Sequence, residues 1–236
     1  MIKLSPSAIK AFQDCPRCFW LDKNHKIKNP RGIFPSLPGG MDRIIKPWYD
    51  QHRAAGAKPP EIAKLPGSLF LNQAKLNEWR NAFKGIATTI ARPTFTIELH
   101  GGLDDLLMPA SSMHDPLDYK TRGAAPKHDG SSEIYYGTQL STYAYLLERN
   151  GLKTTGKGHL VYYWPKEKLG GAGDRFAFDS EIVTLDVKPE LVETWVEKAM
   201  ACLMSDRMPS SHPNCEYCAS SVARMNFMNS MGGVAA

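Results

Sequence analysis

The 236-residue chain carries a net charge of +5, and 42% of its residues are hydrophobic and 22% charged. This composition is typical of a soluble globular protein, and the length is enough for one domain with a substantial buried core. No apolar run approaches the roughly 18 residues that cross a bilayer, and the start MIKLSPSAIKAF is too polar for a secretory signal, so we expect a cytoplasmic protein without a membrane segment.

The first third of the chain predicts three helices joined by loops. The first helix begins at Pro6, because proline suits the first helical position. A basic loop rich in proline and glycine is predicted over residues 23–40. A second helix follows over residues 41–56, interrupted or kinked near Pro47, and a third over residues 74–83.

The rest of the chain alternates between strands and helices. TFTIELHGGLDDLLM has the alternating, β-branched character of two strands, with a turn or bulge at Gly101-Gly102. The elements predicted after it are a strand over 115–121, a helix over 135–151, a strand over 158–165, one or two strands over 175–187, a helix over 189–206, and a disordered tail over 221–236. Strands flanked by helices predict an α/β or α+β fold with a mixed sheet, in a single domain over residues 1–236.

The five cysteines form two pairs and a singleton. Cys15 and Cys18 lie in DCPRCFW, and Cys215 and Cys218 lie in PNCEYCAS. Because disulfides are uncommon inside cells and thiolates at this spacing can face one ion, the pattern predicts a metal centre of four cysteines. The alternative is two unrelated pairs, with Cys18 packed in a core. Cys202 is interpreted as a small buried hydrophobic residue.

Two acids and a lysine suggest a second kind of site. If GGLDDLLM and PLDYKT form adjacent antiparallel strands, Asp104 and Asp118 come close together, and this pair suits a hard divalent cation. Alternation along the strand places Lys120 on the face of Asp118 and turns Tyr119 away, although the Tyr119 carbonyl can still reach the ion. A lysine in this position can orient a water or steady the charge on a phosphate. The alternative is an exposed strand with unrelated charges.

Five short segments, LSPSAIKAFQDCPRCFWLD, GGLDDLL, LDYKTRG, QLSTYAYLL and CEYC, stand in an order that is similar to one family. They resemble the RecB-like branch of the PD-(D/E)XK nucleases, which includes CRISPR-associated RecB-like exonucleases and the AddB nuclease domain. The resemblance implies a restriction-endonuclease-like core with flanking helices. It also implies that Asp104 and Asp118 bind a metal, that Lys120 is the catalytic lysine, and that Gln139 and Tyr143 support the site or contact DNA.

Two departures from the pattern of this branch concern metal ligands. Members often carry a histidine or glutamate from an early helix, whereas this chain offers Asp42, which binds the metal, caps the helix or pairs with Arg43. Iron–sulfur members use one N-terminal cysteine and three near the C-terminus, whereas this chain has two and two. Four thiolates suit a [4Fe–4S] cluster or a tetrahedral Zn²⁺. The resemblance favours the cluster, joining the N-terminal helix to a tail at about residues 208–220.

Together, these features and the resemblance predict a Mg²⁺- or Mn²⁺-dependent deoxyribonuclease, an exonuclease on single-stranded DNA or DNA ends. Arg17, Lys23 and Arg122 are candidate contacts to nucleic acid, in a chain whose N-terminal third is basic. A solvated basic face is the alternative interpretation of these charges. The alternative function is a catalytically idle nucleic-acid-binding module on the same scaffold.

Overall fold

The structure, a computed structural model, describes residues 1–30, 32, 36–81, 83–168 and 176–231. The sequence predicted a single domain, whereas contacts within the chain group it into two compact units: residues 1–6 with 34–192, and residues 7–33 with 193–236. Among the described residues, no helix is both long enough and apolar enough to cross a membrane.

The described part of the first unit contains two β-sheets. The smaller sheet has the strand order β1 (Ile2–Leu4), β4 (Phe95–Gly101), β3 (Ile86–Arg92), with β1 parallel and β3 antiparallel to β4. The larger sheet has the order β2 (Ser68–Leu69), β5 (Asp105–Met108), β6 (Asp115–Thr121), β7 (Lys157–Lys168), β8 (Phe176–Asp186). Strands β6 and β7 run parallel and the other neighbours antiparallel. The predicted mixed-sheet α/β fold class is confirmed.

Among the described residues, three α-helices belong to this unit: α3 (Ser36–Ala54), α4 (Gln73–Trp79) and α5 (Ser131–Arg149). Helix α3 begins inside the region predicted as a loop and continues through Pro47 without interruption. Its residues Ile45, Tyr49 and Arg53 are all buried and recur every four positions. Burial of this face therefore keeps the helix intact although proline removes one backbone hydrogen bond.

The two helices that matter for the site pack on opposite faces of strand β6. Tyr119 packs against Tyr49 of α3, with ring centroids 4.6 Å apart, in a core that also includes Leu107 and Val161. The residues on either side of Tyr119 in β6 point to the other face and contact α5, as the period of two in a strand requires.

Close packing also fixes where α5 meets the smaller sheet. A Cβ added at Gly101 would lie 2.8 Å from Cε1 of Tyr143. Such a distance is too short for two carbon atoms, so only glycine lets this tyrosine lie against the end of β4. The glycine pair predicted to mark a turn therefore also positions a side chain of α5.

The second unit is helical. Its helices are α1 (Pro6–Asp14), α2 (Pro16–His25), α6 (Val192–Leu203) and α7 (Glu216–Ser230). The first residues of α1 and α6, Pro6 and Val192, belong to the first unit. The tail predicted to be disordered from residue 221 is instead helical to Ser230, and residues 232–236 lie outside the described residues. Helix α7 buries none of its side chains, so it lacks the apolar periodicity by which a sequence reveals a helix.

Candidate active site and cysteine centre

The turn before β5 places an aspartate against the neighbouring strand. Strand β5 pairs antiparallel with β6, with Asp105 opposite Leu117, so Asp104 lies just beyond the paired segment. Oδ2 of Asp104 accepts a hydrogen bond of 3.1 Å from the backbone N–H of Tyr119. The two strands thus bring the carboxylates of Asp104 and Asp118 close enough to affect each other's charge, as the strand pairing predicted.

An amide on α5 links the second aspartate to the lysine. Gln139 donates from Nε2 to Oδ1 of Asp118 at 3.1 Å, and its Oε1 accepts from Nζ of Lys120 at 3.1 Å. Nε2 of Gln139 also donates to the hydroxyl of Tyr143 at 2.9 Å. The Lys120 ammonium lies 2.5 Å from Oδ2 of Asp118 and 4.5 Å from the ring centroid of Tyr136. Four residues predicted from the sequence therefore form one connected group.

The electrostatics of this group are set by burial and by like charge. Burial raises the pKa of Asp118, the Lys120 ammonium lowers it, and the Asp104 carboxylate raises it, which leaves the pKa of Asp118 at about 7. Burial lowers the pKa of Lys120, but the carboxylates of Asp118 and Asp104 outweigh it and raise the pKa above its ordinary value. A cationic lysine thus stands beside a carboxylate whose negative charge is costly without a further cation.

The donor atoms fit a divalent cation. Oδ2 of Asp118 is buried and, although at ion-pair distance from Lys120, makes no hydrogen bond of good geometry with any described group. Carboxylate oxygens are the ligands that Mg²⁺ prefers, and such an ion relieves repulsion between neighbouring acids. Asp104 and Asp118 would hold it. The carbonyl of Tyr119 stays a predicted ligand.

Asp42 is linked to this site through another residue. Lys46 lies one turn after Asp42 on α3; its Nζ donates to Oδ2 of Asp42 at 3.0 Å and lies 2.9 Å from Oδ1 of Asp104. Within the described chain, no three carboxylate or histidine ligands here lie within 4.8 Å of one another, so the structure does not gather Asp42 with both other acids. Sequence reasoning missed Lys46, because a lysine four residues after an aspartate is typical of an exposed helix pair.

The second aspartate of GGLDDLL belongs to a separate buried network. Asp105 is fully buried and pairs with Arg53, with Arg80 at 3.2 Å, and with the Tyr119 hydroxyl, which donates at 2.7 Å. Both arginines also pair with Asp50. Two acids and two guanidinium groups balance in charge, so this network anchors β5 between α3 and α4 without adding net charge. The sequence held no clear signal for it beyond strand alternation.

The three candidate contacts to nucleic acid are partly exposed. In the first unit, the Arg122 guanidinium lies 5.3 Å from the ring centroid of Tyr162. In the second unit, Nε of Arg17 donates to the carbonyl of Pro209 at 3.1 Å, and Lys23 lies in the last turn of α2. Their contact with nucleic acid stays a prediction.

The four paired cysteines meet in the second unit. Cys15 and Cys215 are the residues before α2 and α7, and Cys18 and Cys218 lie in the first turns of those helices. The Sγ atom of Cys18 lies 3.6 Å from the Sγ atom of Cys215 and 3.6 Å from that of Cys218, and the Sγ atoms of Cys15 and Cys218 are 3.9 Å apart. All four sulfur atoms are within 4.8 Å of one another, and the interpretation as two unrelated pairs is wrong.

Two helix N-termini favour a thiolate at this group, since the partial positive charge there stabilises an anion. By contrast, burial raises the pKa of Cys18 and of Cys218, so that these two thiols lose their protons only to a bound metal. Burial raises the pKa of the Cys15 thiol, but the backbone N–H groups of Cys18 and His212 outweigh it and lower the pKa to about 7. The donor set therefore fits a cysteine-bound metal centre. Cys202 stands outside the group; it is partly rather than fully buried, and its Sγ lies 3.7 Å from the carbonyl of Pro16.

Comparison with known proteins defines the class to which this fold and site belong. The sequence model of the PD-(D/E)XK nuclease superfamily matches residues 41–223, which is more than half of the chain. Among solved structures, the crystal structure of SSO0001 is similar, with 15% identity over 93% of this chain and 84% of that chain and a TM-score of 0.42. A comparison with curated proteins found no match.

The chain therefore belongs to the PD-(D/E)XK nuclease superfamily. Its mixed sheet with flanking helices agrees with the restriction-endonuclease-like core of that superfamily. Members are in general nucleases that use divalent metals and act on nucleic acids.

Proposed function

We propose that this protein is a Mg²⁺- or Mn²⁺-dependent deoxyribonuclease of the RecB-like branch, and an exonuclease on single-stranded DNA or DNA ends. The observation that carries the proposal is the buried Asp118, ion-paired with Lys120 and held with it by Gln139, beside the carboxylate of Asp104. An isolated Asp-x-Lys on an exposed strand has no need of this shared support.

Each residue has a distinct task in this proposal. Asp104 and Asp118, with the carbonyl of Tyr119, would bind the divalent ion, which would supply Lewis-acid stabilisation of the phosphate and a water of lowered pKa. Lys120 would orient the attacking water, or steady the negative charge that develops on the phosphate, through its ammonium hydrogens. Gln139 keeps the ammonium and the carboxylate in fixed positions.

Tyr143 completes the support of the lysine. Its hydroxyl accepts from the same amide nitrogen of Gln139 that donates to Asp118. This contact holds the amide in the orientation in which Nε2 faces the acid and Oε1 faces the ammonium. Tyr143 is therefore proposed as a positioning residue, and the DNA contact that the resemblance also implied is the other role open to it.

Substrate binding is proposed for Arg17, Lys23 and Arg122, because guanidinium and ammonium groups neutralise phosphates and release their counterions. Removing one such contact should weaken binding to all DNA sequences alike and lower the salt dependence of the affinity by about one ion. Fluorescence anisotropy with a labelled single strand at several salt concentrations measures both effects.

Nucleotide release from end-labelled DNA tests the nuclease directly. We expect release from linear single strands in the presence of Mn²⁺, no release from circular single strands, and a loss of at least about 100-fold in Lys120→Ala. Lys64→Ala, at an exposed position, is the matched control and should keep the wild-type rate. Equal background release by wild type and Lys120→Ala would support the catalytically idle binding module, and release from circles would indicate an endonuclease.

We also propose that Cys15, Cys18, Cys215 and Cys218 hold a metal centre that joins the N-terminal helices to the C-terminal segment. The RecB-like resemblance favours a [4Fe–4S] cluster. The sulfur separations of 3.6 and 3.9 Å support the alternative, since four thiolates about 2.3 Å from one Zn²⁺ in a tetrahedron lie about 3.8 Å apart. A brown protein with visible iron–sulfur absorption indicates the cluster, whereas a colourless protein with one zinc per chain indicates Zn²⁺.

Two broader features are part of the proposal. Residues 1–236 act as a single RecB-like nuclease domain, so that both units defined by contacts unfold in one transition in calorimetry. The protein works in the cytoplasm, where reducing conditions keep cysteines available for metal binding; none of its five cysteines is in a disulfide.

A further inference from the structure

Lys46 joins two carboxylates at the edge of the candidate active site. Its ammonium nitrogen lies 3.0 Å from Oδ2 of Asp42 and 2.9 Å from Oδ1 of Asp104. The Lys46 side chain is 25% exposed, and that of Asp104 is 18% exposed. The contact between Lys46 and Asp104 is therefore partly desolvated, whereas the Asp42 side chain, 42% exposed, is closer to a surface partner, which contributes less.

Both oxygens of Asp104 are engaged by donors. Oδ1 faces the Lys46 ammonium, and Oδ2 accepts from the backbone N–H of Tyr119. Because each carboxylate oxygen has two acceptor positions, each keeps one lone pair for a further ligand. Asp104 is thus oriented from both sides while it can still bind one cation.

Net charge indicates how many further cations the site needs. Asp42, Asp104 and Asp118 supply three carboxylates, and Lys46 and Lys120 supply two ammonium groups, which leaves one negative charge in excess. The neighbouring Asp105 network is balanced by its arginines. One divalent ion overcompensates the excess by a single charge, whereas two would overcompensate it by three.

We infer that Lys46 is the fixed cation of this site, occupying the position between Asp42 and Asp104 that a second divalent ion would otherwise take. The inference rests on the proposed function, since it assumes that Asp104 and Asp118 bind one divalent ion. It assigns Asp42 as the partner of Lys46 rather than as a ligand of that ion. Lys46 is therefore a positioning residue, and it takes no part in proton transfer.

The same geometry predicts what happens when the ammonium is removed. In Lys46→Ala, which removes the side chain beyond Cβ, the oxygens of Asp42 and Asp104 converge on a point about 3 Å from each that is now free of the ammonium group. Each carboxylate needs to move by about 1 Å or less to reach metal–oxygen distances of about 2.1 Å. The variant should therefore bind two divalent ions where the wild type binds one.

Titration of the full-length protein with Mn²⁺, followed by the electron paramagnetic resonance signal of the free ion, counts the sites without an activity assay. We expect one ion in wild type and in Lys46→Arg, two in Lys46→Ala, and one in the double variant Lys46→Ala/Asp42→Asn. Asp118→Asn, which should lose the first ion, identifies binding elsewhere on the chain for subtraction. Circular dichroism confirms that each variant is folded.

The outcomes separate this inference from the proposed function. One ion in both wild type and Lys46→Ala, or two ions already in wild type, would overturn the role of Lys46 and leave the nuclease proposal standing. Two ions in the double variant would also overturn it, because Asp42 would then not be a ligand of the second ion. A wild type that binds no Mn²⁺ sensitive to Asp118→Asn would overturn the proposed function and this inference with it.

Discussion

Gln139 contacts Asp118 through its amide nitrogen while its amide oxygen accepts from the lysine two residues further along the same strand. One side chain on α5 thus holds an acid and a cation by its two different ends. Among the side chains of similar length, only an amide offers a donor and an acceptor at fixed positions at neutral pH. The relationship explains why a helix residue far from the Asp-x-Lys segment in sequence belongs to the same site.

Gln139→Glu tests this relationship with almost no change in shape. Glutamate keeps the acceptor for Lys120 but removes the donor to Asp118 and adds a repelling negative charge. We expect the rate of nucleotide release to fall by about 10- to 100-fold, the usual effect of losing a residue that supports a metal ligand. Gln51→Glu, on an exposed position of α3, is the control. Unchanged rates in Gln139→Glu would contradict the positioning role.

Adjacent aspartates should behave in opposite ways when each is changed to asparagine. Asp105→Asn leaves Arg53 buried without its full partner, and we expect the free energy of unfolding to fall by about 3–5 kcal/mol. Asp104→Asn keeps an acceptor for the Tyr119 N–H and relieves the repulsion with Asp118, so it should cost clearly less stability than Asp105→Asn but abolish nucleotide release. Urea denaturation and the nuclease assay on both variants measure the contrast; equal stability of the two proteins would refute it.

Gly101 should be intolerant of a side chain. In Gly101→Ala the new methyl group meets Cε1 of Tyr143 at 2.8 Å, so α5 or the strand must shift. We expect the free energy of unfolding to fall by about 1–3 kcal/mol, as in other overpacked cores. A Cβ at Gly123 meets nothing within 4 Å, so Gly123→Ala should be neutral. Equal melting temperatures of these two variants would show that Tyr143 is not held by this contact.

One prediction for the cysteine group is the same whether the group binds zinc or an iron–sulfur cluster. Cys18→Ser should lose the bound metal and lower the melting temperature, because binding free energy at such a centre contributes to folding. Cys202→Ser, outside the group, should keep both at wild-type levels. Elemental analysis with differential scanning calorimetry measures the two quantities. Full metal content in Cys18→Ser would contradict the proposed centre.

A buried acid at the start of β6 should make stability depend on pH. Burial raises the pKa of Asp115, but the His159 imidazole, with Nε2 3.6 Å from Oδ2, and hydrogen bonds from Thr155 outweigh it, and the pKa lies below its ordinary value. The carboxylate therefore stabilises the fold above its unfolded pKa of about 3.9, and this stability is lost as the pH falls through the lower, folded pKa.

Asp115→Asn isolates that contribution. Wild type should be more stable than the variant near neutral pH, and the difference should shrink as the pH falls below about 4. Urea midpoints measured at several pH values check it, with Asp206→Asn at an exposed position as the control. A difference that is constant with pH would mean that the charge of Asp115 does not contribute.

The sequence predicted the parts of the site that follow from local periodicity. Alternation along LDYKT fixed the face of Asp118 and Lys120, and the amphipathic pattern of α5 fixed the helix that carries Gln139. Strands β1, β2 and β3 were not predicted. The first two are very short, with three and two residues, and pair with strands distant in the chain.

Other features depend on contacts that no local pattern encodes. The spacing of Lys46 and Asp42 is that of any exposed helix pair, and only the fold brings Asp104 to the Lys46 ammonium. Asp105 cannot be distinguished in sequence from the acid before it, yet it forms an ion pair with Arg53 of α3. Charged residues near a site therefore need tertiary structure before they can be divided into metal ligands and structural partners.

If Asp104, Asp118 and Lys120 form a metal-dependent nuclease site, nucleotide release must require both the Asp118 carboxylate and a divalent ion. Wild type and Asp118→Asn, both verified as folded, are incubated with end-labelled linear single-stranded DNA in Mn²⁺ and in excess chelator. We predict nucleotide release by wild type in Mn²⁺ alone. Release by Asp118→Asn at the wild-type rate, or release that persists in chelator, would contradict the account.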